Sequence, residues 1–203
     1  MFVLQLLVLA VLLLILYGVY RALMQSQSPA ARMIGRIAGS AFAVLACGLA
    51  LVVRPMIFDT AVVTSDSMKP TLRVGDRLLA AKLAYKHHGP ARGDIITFRF
   101  PSRTPGVGED IMIKRVIGVA GDVIEVKGGA AYRNGTRLDE GYVRAPMEYV
   151  MPPVVVTEGK LLVLGDNRNE SDDGHVWGVL DRRRVIGRAA TRIWPLSSMG
   201  SVK

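Results

Sequence analysis

The sequence predicts a mostly β domain, antiparallel and partly barrel-like, preceded by two transmembrane helices. Three observations predict it. The first 56 of the 203 residues hold two long apolar runs and no acidic side chain. Beyond them, short β-prone runs alternate with Gly, Pro, Asn and Asp, the pattern of strands separated by turns. No sustained 3.6-residue apolar period follows residue 57, so helices have little part in the second region.

Residues 1–20 carry no charge, and Gln5 is their only strongly polar side chain. At 1.5 Å rise per residue such a run spans a bilayer core of about 30 Å. A cleaved leader would bring a basic start, a shorter apolar core and a small-residue cut site. This chain instead begins Met1-Phe2-Val3-Leu4 and its run ends in Tyr20-Arg21, so a retained anchor is expected. Residues 21–36 carry Arg21, Arg32 and Arg36 and no acid, which the positive-inside rule reads as a basic cytoplasmic loop. A second span is expected over 37–56. Residues 57–203 then form an extracytoplasmic domain, and the chain is a multi-pass protein of the cytoplasmic membrane.

Within 57–203, strands are expected at 77–83, 95–100, 111–119, 123–126, 160–164 and 185–194. Gly75-Asp76, Gly93-Asp94 and Gly121-Asp122 precede strand starts, and Asn134-Gly135 signals a two-residue hairpin. Residues 101–110 and 145–153 are expected to be irregular connections. A stretch of this length can bury a substantial core.

The formal charge of +9 raises the question of nucleic acid, and its distribution argues against that partner. Four arginines lie in the first 56 residues, leaving 22 basic against 17 acidic side chains beyond. Arg182-Arg183-Arg184 is the one dense basic run, and a solvated or lipid-facing turn accounts for it. The lone Cys47 excludes an internal disulfide and any multi-cysteine zinc site. His87-His88 and His175 lack metal-ligand spacing and no phosphate loop occurs, so neither a metal nor a cofactor is expected.

Ser67 and Lys114 are the residues that point to chemistry. Lys114 sits inside Ile111-Met112-Ile113-Lys114-Arg115-Val116-Ile117, where burial favours the neutral amine. Each unit by which a lysine pKa falls is about 1.36 kcal/mol, and apolar neighbours such as Met68, Ile113 and Val116 are placed to supply that desolvation. A neutral amine beside a serine hydroxyl activates it as a nucleophile. Taken singly, Ser67 could as well start a turn and Lys114 could reach solvent from a strand.

Five ordered motifs join the two. They are Ser65-Asp66-Ser67-Met68-Lys69-Pro70-Thr71-Leu72, Gly75-Asp76-Arg77-Leu78, Arg92-Gly93-Asp94-Ile95, the stretch Lys114-Arg115-Val116-Ile117-Gly118-Val119-Ala120-Gly121-Asp122, and Gly165-Asp166-Asn167-Arg168 continuing to Trp177-Gly178. In order and spacing the chain resembles the type I signal peptidases, membrane-bound serine proteases with a Ser-Lys dyad and a fold shared with self-cleaving Ser-Lys repressors. The resemblance implies that Ser67 is the nucleophile and Lys114 the general base. It assigns the Ser65 hydroxyl and the Ser67 backbone N–H to the oxyanion hole, Ser171 to orienting the lysine amine, and Asp173 to a structural role. It also implies the substrate: exported preproteins with small residues three and one positions before the cut. Ala61, Val63, Met68, Leu72 and Ile113 are candidates for the shallow apolar pockets that would receive them.

The chain departs from the family pattern at two places. Thr64-Ser65-Asp66-Ser67 stands where Pro-Ser-Gly-Ser is usual, which sets a carboxylate between the two serines. In the last motif Asn169-Glu170 stands where Asp-Asn is usual and Gly174-His175 where Ser-Arg is usual, so a customary salt-bridge partner of Asp173 is missing or replaced by His175. Two alternatives stay open at this level: a relative dedicated to one substrate, such as a conjugative pilin, and a non-catalytic membrane-anchored β domain that binds exported chains.

Overall fold

The computed structural model describes residues 17–102, 106 and 108–202, with residues 45, 49–50 and 52–56 described by backbone alone. The chain divides into two compact units, Met1–Pro55 and Met56–Lys203.

In the first unit, most of the span expected over residues 1–20 lies outside the described residues. Residues 17–25 are helical, and a second helix, α1, runs over Pro29–Ile57. Only 26–28 separate the two, so the stretch expected as a loop over 21–36 is mostly helical. The cause is local. The Ser28 hydroxyl accepts the Ala31 N–H at 3.4 Å and Pro29 occupies the first helical position, where its missing N–H is harmless. Helix-forming Ala30, Ala31, Arg32 and Met33 then extend the helix upstream of the uncharged run. The apolar window long enough to cross a bilayer is Pro29–Gly48, with a mean hydropathy of 1.4 and almost no buried side chain. Among the described residues it is the one such helix.

The second unit is built on antiparallel sheets, as expected. The larger combines β1 (Phe58–Val62), β2 (Arg77–Ala81), β3 (Ile95–Pro101), β4 (Glu109–Gly118), β9 (Lys160–Leu164), β10 (Leu180–Asp181), β11 (Val185–Trp194) and β12 (Gly200–Ser201). Its order is β1-β2-β11-β3-β4-β9-β10, with β12 on β11. The smaller holds β5 (Val123–Lys127), β6 (Ala130–Arg133), β7 (Thr136–Arg137) and β8 (Met151–Val155), in the order β7-β6-β5-β8. The partly barrel-like expectation is corrected here: among the described residues the larger sheet is open, ending at β1 and β10. Closure needs a continuous ladder between the terminal strands, and β10 offers two residues. Bulges along β11, between Val185 and Gly187 and between Ala189 and Thr191, bend the sheet without bringing its ends together.

Four Gly-Asp turns tie this framework. Gly75, Gly93 and Gly121 adopt φ of 92°, 86° and 89°, a region open to glycine at little cost. The aspartate that follows each then grips an arginine from another element: Asp76 takes Arg192 at 2.9 Å, Asp94 takes Arg188 at 3.2 Å, and Asp122 takes Arg92 at 2.8 Å. The fourth, Asp166, takes Arg115 through both carboxylate oxygens, at 2.8 and 2.7 Å. The Asn134-Gly135 hairpin forms as expected between β6 and β7, with both residues at positive φ.

Candidate active site

Beyond β1 the chain enters a 3-10 turn at Asp66–Met68 that presents Ser67. The approach is clamped on both sides: Val63 N–H donates to the Asp76 carbonyl and Gly75 N–H to the Val63 carbonyl, each at 2.9 Å. A loop distant in sequence clamps the turn itself, since Asn167 N–H donates to the Ser67 carbonyl at 3.0 Å and Asn167 Nδ2 to the Asp66 carbonyl at 3.2 Å. The Ser67 N–H lies in the first turn of this 3-10 segment, where a backbone donor has no partner within the turn. It is therefore able to serve an external oxygen.

Lys114 projects from β4, which is flanked by β3 and β9. Its side chain is 3% exposed, Ser67 is 6% exposed, and Nζ and Oγ lie 2.6 Å apart. Burial pushes the amine below the usual lysine range, against the opposing fields of Asp173, Asp172 and Asp166. Burial is the larger effect, so the shift is downward despite these carboxylates. The neutral amine can then accept the hydroxyl proton of Ser67.

Ser65 Oγ lies 3.1 Å from Ser67 Oγ, on the nucleophile side of the turn. Asp66, the unusual carboxylate between the two serines, turns outward to Lys69 at 2.8 Å, and both side chains are about half exposed. Its charge is compensated in solvent and does not confront the dyad.

Ser171 is buried next to the dyad, packed with the Ser67 carbonyl against Gly165. Its hydroxyl has no hydrogen-bond partner among the described residues, so the expected contact with the lysine amine is not made. Asp173 is fully buried. One oxygen accepts the Gly165 N–H at 2.7 Å, and the other accepts the His175 N–H at 3.1 Å with His175 Nδ1 at 2.8 Å. The imidazole stacks on Tyr149 with ring centroids 4.0 Å apart. His175 thus occupies the role that the sequence left open for a partner of Asp173.

A cleft of about 580 Å³ opens over the dyad, between residues 62–65 and residues 109–113. Of the five pocket candidates, Val63, Met68 and Ile113 line it. Ala61 and Leu72 do not; they are buried in the same apolar cluster, at 8% and 0% exposure, and shape the wall from behind.

Several supporting residues escaped sequence reasoning. Thr71 Oγ1 donates to Asp166, Arg115 also donates to the Gly93 carbonyl at 3.0 Å, and its guanidinium lies 4.0 Å from the centre of the Tyr142 ring. Arg168 is 2% exposed, bonds the Gly165 carbonyl at 3.0 Å and pairs through two nitrogens with Glu140 at 2.8 and 2.6 Å. The Gly-Asp repetition was the available signal for Asp166; nothing in the sequence marked Glu140 or Tyr149.

In sequence the chain is similar to known proteins of one family. The family model described as signal peptidase, peptidase S26, matches residues 36–194. A probable signal peptidase I-1 of Synechocystis is 43% identical over 157 residues, which cover 76% of this chain and 80% of that protein. A signal peptidase I of Leptolyngbya laminosa is 42% identical over 158 residues, covering 76% and 77%. A solved signal peptidase I structure from Enterococcus faecalis is similar over 49% of this chain and 95% of that one, at 32% identity and a TM-score of 0.38.

Proposed function

The chain belongs to the signal peptidase family, peptidase S26, and from that premise we propose that Ser67 and Lys114 carry out its cleavage of signal peptides from preproteins. The observation that carries the assignment is the 2.6 Å contact between a buried amine and a buried hydroxyl at the floor of an open cleft.

The mechanism follows from the geometry. Neutral Lys114 takes the proton of Ser67 as Oγ attacks the carbonyl carbon of the bond to be cut, and the new C–O bond places negative charge on the carbonyl oxygen. The Ser65 hydroxyl and the Ser67 N–H are the donors for that oxygen. As the C–N bond breaks, the Lys114 ammonium returns its proton to the leaving amine. Water, deprotonated by the regenerated amine, attacks the ester and frees Ser67. Asp173 and Asn167 hold the Gly165 loop and the nucleophile turn in register. Ser171 fills the space beside them, and shallow walls of Val63, Met68 and Ile113 admit small side chains and exclude large ones.

In this reading the chain is anchored by the part of α1 beyond Arg36 and by a first span over residues 1–20, with Arg21, Arg32 and Arg36 on the cytoplasmic side. The catalytic unit then acts on the extracytoplasmic face, where exported preproteins emerge. The apolar Pro29–Gly48 window and the absence of acid from residues 1–56 support this arrangement. Cleavage of a preprotein with alanines three and one positions before the cut tests the assignment. Ser67→Ala and Lys114→Met should each lower kcat by at least about 10³-fold. Parent-like turnover in either variant would exclude the dyad, and no cleavage by the parent would favour a binding role.

A further inference from the structure

The cleft is not electrically neutral. Three of its lining residues carry ionisable side chains: Lys114 at the floor, and Glu109 and Asp110 at the far end of the β4 wall. Glu109 is engaged by Arg184 at 3.4 Å and Arg99 at 4.0 Å. Asp110 is exposed and forms no ion pair among the described residues. It sits four residues before Lys114 on one strand, so both side chains project from the same face of β4. The separation along the strand is about 13 Å, at roughly 3.3 Å per residue.

Resting on the proposed function, we propose that Asp110 is a specificity-determining residue that selects a basic side chain four residues from the cleaved bond. A preprotein segment lying extended along β4, with its scissile carbonyl at Ser67, advances at the same rise per residue as the strand beside it. Its fourth residue from the cut therefore comes level with Asp110. A lysine or arginine there meets the exposed Asp110 carboxylate, and a glutamate meets like charge. The rest of β4 that lines the cleft, Ile111, Met112 and Ile113, is apolar and offers an acidic substrate residue no cation in exchange. Partly exposed charge pairs of this kind discriminate by about 3- to 10-fold and weaken as the Debye length shrinks with salt.

The test uses the full chain in neutral detergent and a set of peptides sharing one cut site. Lysine, glutamine or glutamate is placed in turn at each of the five positions on either side. The parent should favour lysine over glutamate by about 3- to 10-fold in kcat/KM, at one position four residues from the cut. Raising sodium chloride to 1 M should reduce that ratio, and Asp110→Asn should bring it close to one at low salt. A ratio near one at every position in the parent would overturn the inference and leave the dyad untouched, as would a parent-like ratio in Asp110→Asn. Failure of the parent to cleave the glutamine peptides would instead overturn the proposed function, and this inference with it.

Discussion

Asp166→Ala is the substitution whose effect the structure defines best. The carboxylate is buried, accepts two bonds from the Arg115 guanidinium at 2.8 and 2.7 Å, and accepts a third from the Thr71 hydroxyl. The two side chains are 0% and 4% exposed, so solvent barely screens the pair. Truncation leaves Arg115 charged and buried, facing the Gly93 carbonyl and the Tyr142 ring. Breaking one side of such a pair costs about 3–5 kcal/mol. For a unit of this size that corresponds to a fall in Tm of roughly 10 °C, read from Trp177 and Trp194 fluorescence. Asp166→Asn keeps the shape and one acceptor and should lose less. Arg115→Met on top of Asp166→Ala should restore part of the loss, because the buried charge that lost its carboxylate is gone. Since Asn167 holds the Ser67 carbonyl, Asp166→Ala should also lower kcat by about 10- to 100-fold, the usual result of an ångström-scale displacement. A Tm within 2 °C of the parent, or a double variant worse than additive, would refute this account of the loop.

Three further outcomes are expected. Ser65→Ala should lower kcat by about 10²-fold or more with little change in KM, and Ser65→Thr should retain most activity; less than a threefold loss in the alanine variant removes Ser65 from the oxyanion site. The acid limb of kcat/KM reports the proton that must leave Lys114, so activity rises with pH through a pKa held below the usual lysine range. Asp172→Asn removes a charge that favours the ammonium and should move that limb to lower pH, and movement to higher pH would contradict the electrostatic reading. Gly165→Ala drives a methyl group into the Ser171 side chain and the Ser67 carbonyl. It should destabilise by about 1–3 kcal/mol and sharply reduce turnover, and a fully active, stable variant would show that the loop has room to spare.

Much of the fold could be read from local signals. Gly75, Gly93 and Gly121 mark turns because an isolated glycine before aspartate carries the conformational demand in its own identity. The central strands 95–100, 123–126, 160–164 and 185–194 were legible within a residue or two because they are dense in β-branched and aliphatic side chains. β1, β8 and β10 were not, since two residues at Leu180–Asp181 or a Pro-Pro pair within Met151–Val155 carry little strand propensity. Those strands exist because a neighbour supplies their hydrogen bonds. The upstream extension of α1 was obscured for the opposite reason: hydropathy marks where lipid is tolerated, whereas capping by Ser28 and Pro29 decides where the helix begins.

At the site, residue type and motif order pointed to Ser67 and Lys114 as a pair and left the partner of Asp173 as either missing or His175. Identity is carried in the sequence because chemistry depends on which functional groups are present. Distance and exposure are not, because they arise from contacts between segments far apart in the chain. Only the tertiary structure brought an amine and a hydroxyl 47 residues apart to 2.6 Å, turned Asp66 outward to Lys69, and packed Ser171 near the Ser67 carbonyl with its hydroxyl unbonded among the described residues. It also decided that Ala61 and Leu72 support the cleft from behind and that Asp110 reaches it, since burial is a property of the packed sheet and of no residue taken alone.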